Sequence, residues 1–185
     1  GDVSYVGTAY TFGVVHYAAE LWIWGNGDNG KLGVNNTTTY SSPIQIPGTT
    51  WKSGARSPFH TVVTKADGTL WAWGKNDKGN LGQNDRTNRS SPVQIPGTTW
   101  SKANLFSYGS YAIKTDGTLW SWGYNSQGNL GLNNTTYYSS PVQVGSDTTW
   151  SATGSIGINN YSSVWGLKTD GTLWAWGRNN QGQLG

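Results

Sequence analysis

The chain has 185 residues, of which 11% are charged, a formal net charge of +3, and neither cysteine nor methionine. The missing cysteines exclude disulfides, thiolate metal sites and cysteine nucleophiles. Lys and Arg are scattered singly, without the clustered basic stripe of a nucleic-acid binder, and no stretch approaches the roughly 18 apolar residues of a membrane-spanning helix.

No signal peptide is visible. A first residue other than Met is read as the mark of processing, excision or a partial sequence. The first clear element is LWIWGNGDNGKLG at 21–33, followed by SSPIQIPGTTW at 41–51. Both return: LWAWGKNDKGNLG at 70–82 with SSPVQIPGTTW at 90–100, LWSWGYNSQGNLG at 119–131 with SSPVQVGSDTTW at 139–150, and LWAWGRNNQGQLG at 173–185. The starts Leu21, Leu70, Leu119 and Leu173 lie 49, 49 and 54 residues apart. A fixed period of this size marks a repeat architecture.

The copy from Trp51 to Thr99 shows the unit. PFHTVVTK (58–65) is rich in β-branched and aromatic residues and predicts a strand. Asp67-Gly68 predicts a hairpin turn, because Gly tolerates positive φ; Asp116-Gly117 and Asp170-Gly171 repeat it, while the first copy has Ala19-Glu20. TLWAWG (69–74) is the returning strand, with Leu70 and Ala72 on one face and Trp71 and Trp73 on the other. A buried Trp hides about 150–250 Å², worth about 4–6 kcal/mol gross at roughly 25 cal/mol per Å². The pairs Trp22/Trp24, Trp71/Trp73, Trp120/Trp122 and Trp174/Trp176 are therefore expected to fill the space between stacked sheets. In GKNDKGNLG (74–82), Asn76 is expected to fold onto nearby backbone. Gly79, like Gly128 and Gly182, suits a left-handed position, and Leu81 plugs the gap beneath. NDRTNRSS (84–91) reads as a loop and PVQI (92–95) as a short strand, with Pro92 at its start or on an edge. About four strands per repeat and no helical period predict an all-β fold. Each four-stranded antiparallel sheet cannot bury its faces alone, and radial stacking as propeller blades solves this.

The pattern DG, then LWxWGxNxxGxLG, then a Pro-containing strand resembles the RCC1 (regulator of chromosome condensation) repeat, in its Trp- and Asn-rich bacterial and phage form. It is present at 67–82, 116–131 and 170–185, and more loosely at 21–33, where Gly27 replaces the Asn. The family's Gly-Gly-x-His stretch survives only as His60; Gly109 and Ser163 stand at the aligned positions, which argues against an essential His. The resemblance implies a seven-bladed β-propeller. One segment, 1–185, would hold about 3.7 repeats: 1–50 (N-terminally incomplete), 51–99, 100–149 and 150–185 (C-terminally incomplete). Such a segment would be part of a longer ring, or half of a ring completed by a second copy.

Asp67, Asp116 and Asp170 recur at one turn position and are read as turn chemistry. His16 and His60 lie at non-equivalent positions without Cys or a paired acid, so no metal is expected. No nucleophile elbow and no phosphate-binding glycine loop appears. Neither an enzyme nor a cofactor is predicted. The sequons at Asn35, Asn36, Asn88, Asn133, Asn134 and Asn160 are attributed to composition. A binding surface is the better expectation. The residue after each WG varies (Asn26, Lys75, Tyr124, Arg178), as do Asp28, Asp77, Ser126 and Asn180, and Lys31, Asn80, Asn129 and Gln183. A fixed scaffold with variable loop tips suits recognition. Tyr40, Tyr124, Tyr137 and Tyr138 could stack on a sugar or a protein.

The resulting expectation is a non-enzymatic recognition or structural module, outside a cell or on a virus particle, with a protein or surface-glycan partner. One alternative is similarity to a secreted inhibitor propeller that caps an enzyme. A remoter one is guanine nucleotide exchange, the role of the family's namesake, none of whose functional residues can be placed here.

Overall fold

The computed structural model describes residues 14–17, 20–152, 156–158 and 163–185. Its described strands form four antiparallel sheets, and each sheet is sequential in the chain. The first holds β1 (Val14–Tyr17), β2 (Glu20–Gly25) and β3 (Tyr40–Gln45). The second holds β4 (Trp51–Arg56), β5 (His60–Lys65), β6 (Leu70–Gly74) and β7 (Arg89–Ile95). The third holds β8 (Trp100–Phe106), β9 (Gly109–Lys114), β10 (Leu119–Gly123) and β11 (Tyr138–Gln143). The fourth holds β12 (Gly157–Ile158), β13 (Ser163–Leu167) and β14 (Leu173–Gly177).

The central hairpin of the second, third and fourth sheets is fixed by a short polar relay. Asp67 Oδ1 accepts from Thr69 N (2.9 Å) and Thr69 Oγ (2.7 Å), and Thr69 Oγ in turn accepts from Trp71 Nε1 (2.8 Å). The same relay recurs from Asp116 through Thr118 to Trp120, and from Asp170 through Thr172 to Trp174. Gly68 N donates to Lys65 O (3.1 Å) with φ at +79°. The turn thus spans Lys65 to Gly68 and ends in a left-handed residue, a three-residue hairpin loop rather than a tight two-residue one.

The sheets stack face to face, as blades do. The first strands β4 and β8 pack on each other across the gap between sheets, which places them innermost. Between the first two sheets lie Leu21, Ile23, Leu32 and Ile46 against Trp51 and Trp73. Between the second and third lie Leu70, Ala72, Leu81 and Ile95 against Trp100 and Trp122. Between the third and fourth lie Ile113, Leu119, Leu130 and Val144 against Trp150 and Val164. Each sheet therefore shows its Leu/Ala face to the next blade and its Trp face to the preceding one. Leu81 and its equivalents Leu32 and Leu130 are fully buried under their loops.

Two sequence expectations need correction. The two Trp of a pair share the space between sheets unequally: Trp73 and Trp122 are fully buried, while Trp71 and Trp120 are half-buried and pack on the same two cores, and Trp24 and Trp176 are half-buried. Trp71 and Trp120 are held at the edge by their bonds to the turn threonine, whereas Trp22 bonds Glu20 Oε2 (3.3 Å). Trp71 and Trp120 are half-buried there, each sharing a lysine with an innermost-strand Trp. Lys65 Nζ lies 4.5 Å from the Trp51 ring and 4.6 Å from Trp71, and Lys114 Nζ lies 4.9 Å from Trp100 and 4.0 Å from Trp120. The outer strand also begins earlier than the hydrophobic run suggests. β7 starts at Arg89, opposite Gly74, because Ser90 is held from its other side by the preceding blade. Pro92 sits on this edge strand, where a missing N–H costs no ladder bond.

Candidate functional site

The loop between the third and fourth strands of each blade carries the variable positions, and buried polar side chains fix its path. Asn76 Oδ1 accepts from Leu81 N (2.9 Å), and its amide donates to Asp85 O (3.1 Å) and Asp85 Oδ1 (3.0 Å). Asn125 does the same with Leu130 N (2.8 Å) and Asn134 O (2.9 Å). In the first copy Gly27 stands here with its backbone pressed against Thr38, where a Cβ would lie 2.0 Å from the Thr38 carbonyl oxygen. The Asn reaches across the loop and fastens it, so the tip is preorganised.

The predicted tip residues come together in pairs. Asn26 Nδ2 donates to Asp28 (3.0 Å), Lys75 Nζ contacts Asp77 (3.4 Å), Ser126 Oγ donates to the Tyr124 hydroxyl, and Arg178 Nε donates to Asn180 (2.8 Å). The first and third residues after each WG are thus chemically matched within every copy. The sequence showed that both positions vary; it did not show that they vary as contacting partners.

The third set of variable positions is not at the tips. Asn80 and Asn129 are fully buried, and what they present is the main-chain carbonyl. Lys31 O, Asn80 O and Asn129 O accept from the indole N–H of the next blade's Trp73 (3.1 Å), Trp122 (3.0 Å) and Trp176 (3.0 Å). A hydroxyl joins each carbonyl: Thr61 (3.4 Å), Ser110 (2.8 Å) and Tyr111. These residues couple blades through their carbonyls. Gln183, half-buried in the last copy, accepts from Gln181 N (2.9 Å).

The four candidate tyrosines divide the same way. Tyr40 and Tyr138 pack on the cores between blades, with hydroxyls bonded by Asn36 Nδ2 (3.0 Å) and Asn134 Nδ2 (3.2 Å). Tyr124 and Tyr137 lie on the rim, Tyr124 also packing on the core between the third and fourth sheets, with ring centroids 4.9 Å apart and planes at 57°. They continue a row of rings the sequence reading missed. Phe59, in the turn between β4 and β5, stacks on Tyr108, in the turn between β8 and β9, at 4.3 Å and 15°. Tyr108 then lies 6.4 Å from Tyr124. Lys75 Nζ sits 5.4 Å from the Phe59 ring and 5.5 Å from Tyr108. Four half-buried rings thus cross from the second blade to the third, with Lys75, Asp77 and Ser126 beside them. A signal existed: Phe59 and Tyr108 are 49 residues apart, one repeat period.

Beneath this row lies a buried histidine. His60 Nδ1 is 2.8 Å from Ser57 Oγ, and Nε2 is 3.0 Å from Ser110 Oγ in the next blade. Ser110 Oγ donates to Asn80 O (2.8 Å), so His60 Nε2 is the donor to Ser110 and Nδ1 accepts from Ser57. Burial pushes the imidazole pKa down to about 3. A neutral, fully enclosed His between two hydroxyls ties blades together. His16 pairs with Leu21 in the first sheet. No group of three or more His, Asp or Glu capable of holding a metal occurs among the described residues. Asp67, Asp116 and Asp170 are held below the usual carboxylate range by their Thr bonds, as turn residues. Of the sequons, Asn36, Asn88 and Asn134 spend their side chains on the loops themselves, and Asn160 lies outside the described residues. No helix is long and apolar enough to cross a membrane among the described residues.

The comparisons with known proteins agree with this architecture. The model of the regulator of chromosome condensation (RCC1) repeat matches residues 19–63, 67–111 and 116–154. The first two matched units take in the last two strands of one sheet and end in the first two of the next, and the third takes in β10 and β11 and ends before β12. No curated protein matches the sequence. Among solved structures, human WBSCR16 superposes with a TM-score of 0.80 at 21% identity, over 100% of this chain and 50% of that one. Yeast RCC1 (Prp20), solved bound to Kap60, gives 0.78 at 18% over 95% and 42%. Prp20p from Saccharomyces cerevisiae, studied for its binding to Gsp1p and histones, gives 0.75 at 20% over 94% and 44%. The chain spans about half the length of these proteins, and the likeness at such identity is one of fold. With the family model covering most of the sequence, blade after blade, the chain belongs to the RCC1 repeat family of β-propellers.

Proposed function

We propose that this chain is a non-enzymatic recognition module that binds a protein partner through the ring row Phe59–Tyr108–Tyr124–Tyr137 on the propeller rim. The observation that carries the reading is this row, with Lys75 and Asp77 beside it. Aromatic rings held rigid by their neighbours supply contact area at little entropic cost, and interface cores are enriched in them. Phe59 comes from the second blade and the other three rings from the third, so the full row exists only when adjacent blades are docked. A protein is favoured over a glycan because Phe59 and Tyr108 stack on each other, which takes up one face of each ring. The yeast neighbours, described with Kap60, Gsp1p and histones, support a protein-binding use of this fold.

The low charge and the Asn-, Thr-, Gly- and Trp-rich composition suit an exposed scaffold, outside a cell or on a virus particle. The test is affinity capture with the wild-type chain and with Tyr108→Ala/Tyr124→Ala, analysed by mass spectrometry and repeated on a glycan array. A protein retained by the wild type and lost with the variant supports the reading. Capture that is indifferent to the variant, or retention of glycans alone, counts against it. Nucleotide release from a small GTPase, or inhibition of a secreted hydrolase, assigns the same surface to exchange or to enzyme capping.

A further inference from the structure

The chain contains Asn-Gly at two places only, 26–27 and 29–30, both in the loop of the first blade. The other copies have Lys75, Tyr124 and Arg178 in place of Asn26, and Lys78, Gln127 and Gln181 in place of Asn29. In Asn-Gly the side-chain amide is open to attack by the following backbone nitrogen, because Gly has no side chain to shield that nitrogen and leaves the backbone free to turn. Both asparagines are exposed. Their surroundings differ.

Asn26 is folded onto the backbone that attacks it. Its Oδ1 accepts from Asp28 N (2.9 Å), an Asx turn whose ring contains both the Asn26 side-chain carbonyl carbon and the Gly27 nitrogen. The same N–H polarises that carbonyl. Nδ2, the leaving nitrogen, donates to Asp28 Oδ2 (3.0 Å). The Gly27 N–H makes only a long contact with Thr39 Oγ (3.4 Å), beyond the usual hydrogen-bond range. Asn29 is held the other way. Its Oδ1 accepts from Asn88 Nδ2 in the next blade (3.3 Å), and its backbone is left-handed, with φ at +58° and ψ at +16°. Gly30 N, the atom that would attack it, donates to Gly27 O (3.0 Å). Gly30 is also pressed against the second blade, where a Cβ would lie 2.4 Å from Ser90 Cα.

We propose that Asn26 is a site of spontaneous deamidation, and that Asn29, in the same loop, is protected from it by its own turn and by the next blade. The Gly27 nitrogen bonds to Asn26 Cγ and gives up its proton to solvent. The Cγ–Nδ2 bond breaks, and Nδ2 takes a proton from solvent and leaves as ammonia. Water then opens the resulting five-membered imide at one of its two carbonyls. One opening gives an aspartate at position 26, the other an isoaspartyl linkage in which the chain runs through the side chain. Nothing is oxidised or reduced. Either product sets a carboxylate beside Asp28 where an amide donor stood, so the first tip turns from a matched pair into two like charges. A partner that reads this tip therefore meets a surface that changes with the age of the chain. The tip lies in the first blade, apart from the aromatic row.

The full chain, its fold checked by circular dichroism, is aged at 37 °C and pH 8 in water enriched in oxygen-18, beside a sample held unfolded in guanidinium. Both are digested at low pH. Mass spectrometry with electron-transfer fragmentation then reads the two sites separately and tells aspartate from isoaspartate. In the folded chain, Asn26 should take up the heavy oxygen at least about tenfold faster than Asn29, the factor that one net hydrogen bond on the attacking nitrogen supplies. In guanidinium the two sites should react at similar rates. Asn26→Gln, which lengthens the side chain and disfavours the five-membered ring, should remove the acidic form that otherwise accumulates on ion exchange. Equal rates at the two sites of the folded chain overturn the proposal, as does faster reaction at Asn29. So does an Asn26 that stays intact while the unfolded sample is converted at both sites, or an acidic form that accumulates unchanged in Asn26→Gln.

Discussion

The buried His60 makes stability depend on pH in a window where few other groups titrate. Its folded pKa is about 3, against an ordinary value of 6.5, and burial is the cause. The folded chain holds it neutral. The unfolded chain takes up a proton as pH falls below about 6.5, so stability is complete above that value and is lost as pH falls towards 3. At pH 5 the unfolded imidazole is about 97% protonated and the folded one is still neutral, so the loss relative to pH 7.5 is about 2 kcal/mol at 1.36 kcal/mol per unit. That figure depends on the unfolded pKa alone, because pH 5 remains above the folded one. The turn aspartates add their own loss, but lower: with depressed pKa values they stabilise above their unfolded value and cease to do so as pH falls through and below 3.8. Urea unfolding followed by Trp fluorescence at pH 7.5, 6.5, 5.5 and 5.0 reads the effect. The wild type should lose about 2 kcal/mol across the series, and His60→Gln should lose markedly less while starting from a lower value. Parallel pH profiles for the two proteins would refute the assignment. So would an imidazole C2–H resonance of His60 that shifts with a midpoint above pH 5.

Trp122→Ala should cost about 3–5 kcal/mol in urea unfolding, because the ring is fully buried and its N–H serves Asn80 O. Trp120→Ala, at the rim, should cost visibly less in the same assay. Asn76→Ala should cost about 1–3 kcal/mol, since Leu81 N is left without its buried acceptor; a change under 0.5 kcal/mol would show the loop does not depend on that bond. Asn84→Ala should destabilise by about 1 kcal/mol through left-handed strain and the lost Ser140 contact, and Asn84→Gly should recover most of it. Lys75→Ala should leave the urea midpoint nearly unchanged, because its pair with Asp77 is partly exposed. If the aromatic rim binds as proposed, the same substitution should weaken partner capture.

Much of this molecule is legible from its repeats. The 49-residue period, the DG turn and the LWxWG strand predict the sheets, their hairpins and the faces they bury. A local motif must form local contacts, and period-2 alternation assigns faces directly. The misreadings all involve the neighbouring blade. Asn80 and Asn129 vary around a carbonyl whose partner is about 42 to 47 residues away, so an interior coupling point resembles a free tip. In the last three pairs the first Trp bonds its own turn threonine and the second bonds the preceding blade, a division that alternation alone does not contain. Phe59 and Tyr108 become a site only when two hairpin turns meet across a junction. Strand β7 begins three residues before the predicted Pro92, because Asn35 holds Ser90 from outside the sheet.

The same division explains how such a scaffold can carry changing loop tips. Much of the coupling between blades runs through main-chain atoms: the carbonyls of Lys31, Asn80 and Asn129, and the N–H groups of Asn35 and Asn84. Both a lysine and an asparagine occur at the first of these positions, since the bond across the junction uses only the carbonyl. The tip side chains instead contact one another two residues apart, as Asn26–Asp28, Lys75–Asp77, Tyr124–Ser126 and Arg178–Asn180. A tip pair that packs on no core, as Arg178–Asn180, can therefore be exchanged without touching the main-chain bonds that dock the blades. Transplanting the pair Arg178/Asn180 as Tyr/Ser should leave the urea midpoint within about 0.5 kcal/mol of wild type, the range of ordinary surface changes. Changing one member alone, as Arg178→Tyr beside Asn180, should cost more than the double exchange. A double variant less stable than the sum of its single changes would show that the tips and the docking of the blades are not independent.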